Sequence, residues 1–105
     1  MLREEDFKEY SSDQLERCSV AQGTLAYHEY RAACKIADKD KQLQKQVKLR
    51  SNMALCLYIT NQFLEAQLYA LSAILLLFRN SQNVTQQDLI EAKKIFDKVK
   101  GWRWC

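Results

Sequence analysis

Across 105 residues there is no proline, and there are only two glycines, Gly23 and Gly101. Tight turns depend on Gly, Pro, Asn and Asp for the backbone conformations that reverse a strand. With so few breakers, the chain is expected to be all-α, with its helices ended by short polar clusters. A chain of this length forms one domain with a modest core.

The apolar spacing sets out about five helices. Ser12, Asp13 and Glu16 offer an N-cap for a first helix over about 13–26, with Leu15, Cys18, Ala21, Gln22 and Leu25 on one side. Gly23 lies inside it at a cost of roughly 1 kcal/mol against alanine, which calls for a packing reason. "AYHEY" reads as a helix–helix corner. A second helix then starts at His28 or Glu29 with Tyr30, Ala33, Cys34 and Ala37 inward. It either continues through "DKDKQLQKQ" or breaks near residues 38–41. A third helix carries Leu49, Met53, Ala54, Leu57 and Tyr58 and stops at residues 60–62. The fourth carries Phe63, Ala66, Ala70, Ala73 and Leu77 in one stripe and ends at residues 79–81. Thr85 with Asp88 opens the fifth. Its face is Leu89, Ala92, Phe96 and Val99, and Gly101 is expected just past its end.

Charge and cysteine chemistry narrow the function. The net charge is +3, with acidic residues gathered near the start and Lys and Arg concentrated in 39–50 and 93–103. That balance leaves room for an acidic partner and does not require nucleic acid. Cys18, Cys34, Cys56 and Cys105 form no C-x-x-C pair, and His28 stands alone, so no metal set is expected. The thiols read as reduced, in a cytoplasmic or nuclear protein. The charged N-terminus lacks the apolar run of a signal peptide. The apolar run at 70–78 is far short of the about 20 residues that span a bilayer. No nucleophile, base or carboxylate pair has catalytic spacing around His28, so no enzyme activity and no cofactor are expected.

The stretch "SNMALCLYITNQFLEAQLYALSA", residues 51–73, carries a resemblance. Asn52, Met53 and Ala54 in succession, Leu57 a turn on, Asn61, Gln62 and Phe63 at a break, then Ala66, Ala70 and Ala73 are similar to one tetratricopeptide repeat. That family builds helix–turn–helix units of roughly 34 residues that stack into a solenoid. "VKLRSNMALCLY" looks most like the middle repeat of co-chaperone and large-immunophilin modules. "VAQGTLAYHEYRAACKIA" resembles a divergent first repeat in one of two registers. One aligns Gly23 and needs a gap; the other aligns Tyr30 and Ala33.

The resemblance implies a single domain of antiparallel helical hairpins: a divergent repeat at about 13–40, a clear one at 47–79 and a capping helix at 85–100. It implies a non-enzymatic adaptor that binds a partner's peptide or helix in a groove. Groove positions carried over onto this chain are Lys48, Asn52, Leu55 and Ile59, joined by Leu15, Cys18, Gln22 and Leu25 from the first repeat and by Asp88, Ala92 and Phe96 on the far side. In the family, a clamp of Lys, Asn and Arg takes the acidic tail of heat-shock chaperones. Here Asn52 alone matches it. Thr24 or Gln22 stands for the first Asn, and Thr85 and Leu89 stand for the last two cations, which argues against that ligand. The alternatives are a basic module touching nucleic acid or an anionic membrane through 39–50 and the "WRWC" tail, and a piece of a larger co-chaperone. Residues 74–78, "ILLLF", cannot all share one stripe. The fifth helix is expected to cover the remainder, and the alternative cover is a partner or a second copy of the chain.

Overall fold

The computed structural model describes Gln14, Leu15, Arg17 and residues 19–101. Among the described residues the chain is all-helical, with four α-helices and no strand: α1 Val20–Lys39, α2 Leu43–Ile59, α3 Phe63–Arg79 and α4 Gln86–Gly101, with a 3-10 turn at Ser81–Asn83 before α4. None of these helices is long and apolar enough to cross a membrane.

The expected corner at "AYHEY" is absent, because α1 runs through it. No Gly, Pro, Asn or Asp falls between Thr24 and Ala37. Ala26, Tyr30, Ala33 and Ala37 keep an unbroken helical spacing, and all are buried. The helix starts instead at Ser19, whose extended backbone (φ −67°, ψ 166°) stops a helix from running continuously over 13–26. Ser19 forms a capping box: the Gln22 amide N–H donates to Ser19 Oγ at 3.2 Å, and the Ser19 N–H donates to Gln22 Oε1 at 3.0 Å. The cap foreseen at Ser12, Asp13 and Glu16 lies outside the described residues, as do Cys18 and the "WRWC" tail.

The two corners flanking α2 share one device. Lys41 (φ 55°) and Asn61 (φ 65°) sit in the left-handed region. At the first, the Gln42 N–H donates to Ala37 O and the Lys41 N–H to Asp38 O. At the second, the Gln62 N–H donates to Leu57 O and the Asn61 N–H to Tyr58 O. Both are Schellman closures, which satisfy the last carbonyls of one helix and reverse the chain into the next. The choice left open at 38–41 therefore falls to the break, and the stop expected at 60–62 is found. So is the Thr85–Asp88 box, in which the Asp88 N–H donates to Thr85 Oγ1 and the Thr85 N–H to Asp88 Oδ2. Gly101, expected past the helix end, is still helical.

Helix α2 packs against α1, α3 and α4, and α4 also packs on α3. Every residue over 51–57 is buried, so α2 is enclosed on all sides there. The main core joins Leu15, Ala26, Tyr30 and Ala33 to Leu49, Met53, Leu55, Leu57, Ala66, Ala70 and Val99. A smaller cluster of Val47, Ala73, Leu77 and Ala92 lies where α2, α3 and α4 meet. Gly23 lies against the end of α2, where a Cβ would make ordinary contact with Ile59 Cγ2 at 3.4 Å and Thr60 Cγ2 at 3.5 Å, so the expected packing reason for a glycine is not found there. Tyr58 and Phe63 meet edge to face at 5.7 Å across the second corner, and Tyr27 meets Tyr69 at 6.3 Å. Burial, and then the hydrogen bond to Tyr69, push the Tyr27 hydroxyl up to about 12.

A clamp fastens α1 to α2. Arg50 Nη1 and Nη2 donate to Asp38 Oδ1 and Oδ2, each at 2.8 Å, and Gln46 Nε2 donates to Asp38 Oδ1 at 2.9 Å. Arg50 Nη1 also reaches Cys34 Sγ at 3.3 Å. Burial raises the Cys34 thiol despite the nearby cation, so Cys34 is a packed thiol and not a reactive one. The Arg50 hydrogen bonds hold the Asp38 carboxyl below its usual range.

Two predictions follow from the corner and the clamp. Lys41 is exposed and pays for a left-handed conformation that glycine adopts freely. Lys41→Gly should therefore raise stability by about 0.5–1 kcal/mol in urea unfolding, while Lys41→Val should lower it. For Asp38 the depressed folded value means the stabilisation is full above the ordinary carboxylate value and is lost as the pH falls through the depressed one. Asp38→Asn should cost about 1 kcal/mol at neutral pH, a figure held down by water at a side chain 40% exposed. Unfolding titrations across the acid range should show the gap between wild type and variant closing as the pH drops.

Candidate peptide-binding cleft

Between α2 and α4 the surface opens into a cleft of about 580 Å³. Gln44, Val47, Lys48, Ser51 and Asn52 form one wall. Asp88, Glu91, Ala92, Lys94 and Ile95 form the other, and Leu77 of α3 also lines it. Each wall follows from helical spacing. Residues 44, 48 and 51 and residues 47, 51 and 52 fall on neighbouring turns of α2, and residues 88, 91, 92 and 95 do so on α4. Val47, Leu77, Ala92 and Ile95 supply apolar surface, and Lys48, Asp88, Glu91 and Lys94 supply charges of both signs. Two of the acids already accept hydrogen bonds: Asp88 Oδ2 from the Thr85 N–H, and Glu91 Oε1 from Gln87 Nε2 at 3.2 Å.

Asn52 sets this cleft apart from an ordinary surface groove. It is only 6% exposed, and its Nδ2 is buried without a hydrogen-bond partner. An unmet donor in that setting costs about 1–3 kcal/mol, so native chains rarely leave one without a reason. The cleft wall therefore holds a buried amide donor without a partner, beside apolar side chains and charges of both signs. That suits a ligand bringing a carbonyl or carboxylate oxygen together with an apolar side chain. No lining residue pairs a nucleophile with a base, and among the described residues no group of His, Cys, Asp and Glu is placed to hold a metal ion.

The residues singled out in the sequence divide between two places. Lys48 and Asn52 line the cleft from α2, and Asp88 and Ala92 line it from α4. Leu55 is fully buried in the main core. Ile59 is half-buried at the far end of α2, against the Gly23 position. Gln22 is exposed and used in the cap of α1. Phe96 is half-buried at the main core, with Lys100 Nζ 5.3 Å from its ring centre, while its neighbour Ile95 lines the cleft. The single stripe 48-52-55-59 thus turns from cleft into core after Asn52, because α4 brings Ile95, Phe96 and Val99 into the cluster that holds Leu55. Sequence reasoning missed Gln44, Val47, Ser51, Leu77, Glu91, Lys94 and Ile95. Val47 and Ser51 were legible as one turn of α2, but which face of α4 would meet them was not.

Comparisons with protein-family models, with curated proteins and with solved structures return no match for this chain.

If the Asn52 amide is kept for a ligand and not for the fold, an apolar side chain of similar size should fit better. Asn52→Leu should raise the unfolding free energy by about 1 kcal/mol in urea titrations. A loss of that size would make the amide part of the structural framework.

Proposed function

We propose that the chain is a non-enzymatic adaptor of tetratricopeptide-like build, which binds a segment of a partner protein in the cleft between α2 and α4. The observation that carries the reading is the unpartnered Asn52 Nδ2 in the cleft wall. A backbone carbonyl or terminal carboxylate of a peptide is the acceptor that would complete it. Val47, Leu77, Ala92 and Ile95 would take an apolar side chain of the same segment.

The architecture supports the solenoid part of the reading. Reversing corners of one kind join α1 to α2 and α2 to α3, and α4 packs on both helices of the hairpin before it. A repeat's next helix packs on its predecessor pair in this way. The register of the divergent first segment that aligns Tyr30 and Ala33 is favoured, because both are buried on one face of α1. Cys34 and Cys56, buried and outside any disulfide, suit a reducing compartment, the cytoplasm or nucleus. The mixed charge of the cleft supports a peptide of modest charge over a strongly acidic chaperone tail. Arg50, the cation ending the basic segment 39–50, is committed to Asp38, which weakens a nucleic-acid reading of that segment. A larger co-chaperone-like protein containing this module is compatible with the same cleft.

Peptides selected from a random library on the wild-type chain provide the test. Their affinity should fall about 10-fold or more for Asn52→Ala, the loss of one hydrogen bond to a buried donor. Their dependence on salt should be shallow, whereas nucleic acid would give a steep one. Selected peptides that bind Asn52→Ala as tightly as wild type would sink the cleft reading.

A further inference from the structure

Helix α3 is apolar on two opposite faces. Its inner stripe is Ala66, Ala70, Ala73 and Leu77, all buried. Its outer stripe is Leu64, Leu68, Leu71, Leu75 and Phe78, exposed by 72, 57, 41, 47 and 65%. The fifth helix of the sequence reading, α4 here, was expected to cover the excess. It does so only in part: Leu77, Ile74 and Leu76 join the cluster containing Ala92, while Leu75 and Phe78 stay in water. The exposed Val20, Leu25 and Ile90 lie on other helices, outside this stripe.

The outer stripe has a regular spacing. Its steps of 4, 3, 4 and 3 residues are those of a coiled-coil seam, in which every side chain meets a partner helix. From a partly exposed Leu71 at its centre, the stripe extends to both ends of α3.

The surface is also large enough to matter. At about 150–200 Å² for a fully exposed large side chain, these exposures leave roughly 500 Å² of apolar area on one copy. Two such stripes facing each other remove roughly 1,000 Å² from water, the lower bound for a specific interface.

Charge decides the orientation and the occupant. Glu65 and Arg79, both exposed, flank the stripe on the same side at opposite ends of α3, with Ser72 between them. If two copies of α3 lie antiparallel and centred on Leu71, Leu64 meets Phe78, Leu68 falls within one residue of Leu75, and each Glu65 falls within two residues, about 3 Å of helix rise, of the Arg79 of the other copy. The patch is then self-complementary under a two-fold axis. A parallel pair would instead set Ser72 against Gln67 and Arg79 against Ile74, with no opposite charges meeting. We propose that the outer face of α3 is a homodimer interface, formed by the antiparallel pairing of Leu64, Leu68, Leu71, Leu75 and Phe78 with the same stripe of a second copy. This pairing is independent of the cleft between α2 and α4, which opens on other helix faces.

Sedimentation velocity of the full chain over a concentration series tests it. Wild type should pass from monomer to dimer. Leu71→Glu should remain monomeric with an unchanged far-ultraviolet spectrum, since the side chain points away from the core. Glu65→Arg and Arg79→Glu should each raise the dimer dissociation constant by about five- to tenfold. Combining the two in one chain should restore it, because opposite charges again lie close to each other. A wild type that stays monomeric overturns the proposal and assigns the stripe to another segment of the chain or to a different protein. A wild-type dimer untouched by Leu71→Glu overturns it as well. A dimer lost in Leu71→Glu, in which the paired charge swap gives no recovery, overturns the antiparallel arrangement.

Discussion

The enclosure of α2 is the constraint on which the rest of the structure depends. Residues 51–57 are all buried, and only Ser51 and Asn52 among them line the cleft, so polar groups there have little water to turn to. The helix answers its own backbone, and the three helices around it must supply the apolar contacts. Each neighbour reaches α2 by a different route: α1 and α3 through the matched Schellman corners, and α4 by crossing over the pair that α2 and α3 form.

Two polar side chains on α2 show the two outcomes of such enclosure. Arg50 lies at the seam with α1 and finds a carboxylate in fork geometry, so its charge is used internally. Asn52, two residues on, faces the seam with α4, where no acceptor meets its Nδ2. The first arrangement fastens the fold. The second leaves a buried donor without a partner in the wall of a cleft with apolar and charged neighbours, and the proposed peptide-binding reading rests on it.

Helix α3 carries the same contrast in apolar form. Its inner residues are small, so α2 approaches closely. Its outer residues are large and remain in water. The coiled-coil spacing of those five large side chains is what the proposed pairing with a second copy would use.

Much of the fold was legible because it rests on local chemistry. The lack of proline and scarcity of glycine determined the helical class. Polar clusters indicated the stops near 60 and 80 and left the one near 40 open, and Thr85 with Asp88 marked the start of the last helix. The alanine series of α3 marked its inner face. The corner at "AYHEY" was misread because two tyrosines and a histidine look like a break, yet none of them stops a helix; only Ser19 does. For the cleft, Lys48, Asn52, Asp88 and Ala92 were readable as single turns of two helices. Whether Leu55, Ile59, Gln22 and Phe96 joined them was not readable, because that depends on where α4 crosses α2. Local sequence sets which side chains share a helix face. The crossing is set by how side chains from all the helices fill space together, and only the tertiary structure decided that Asn52 would be left facing a cleft and Leu55 would be sealed in the core.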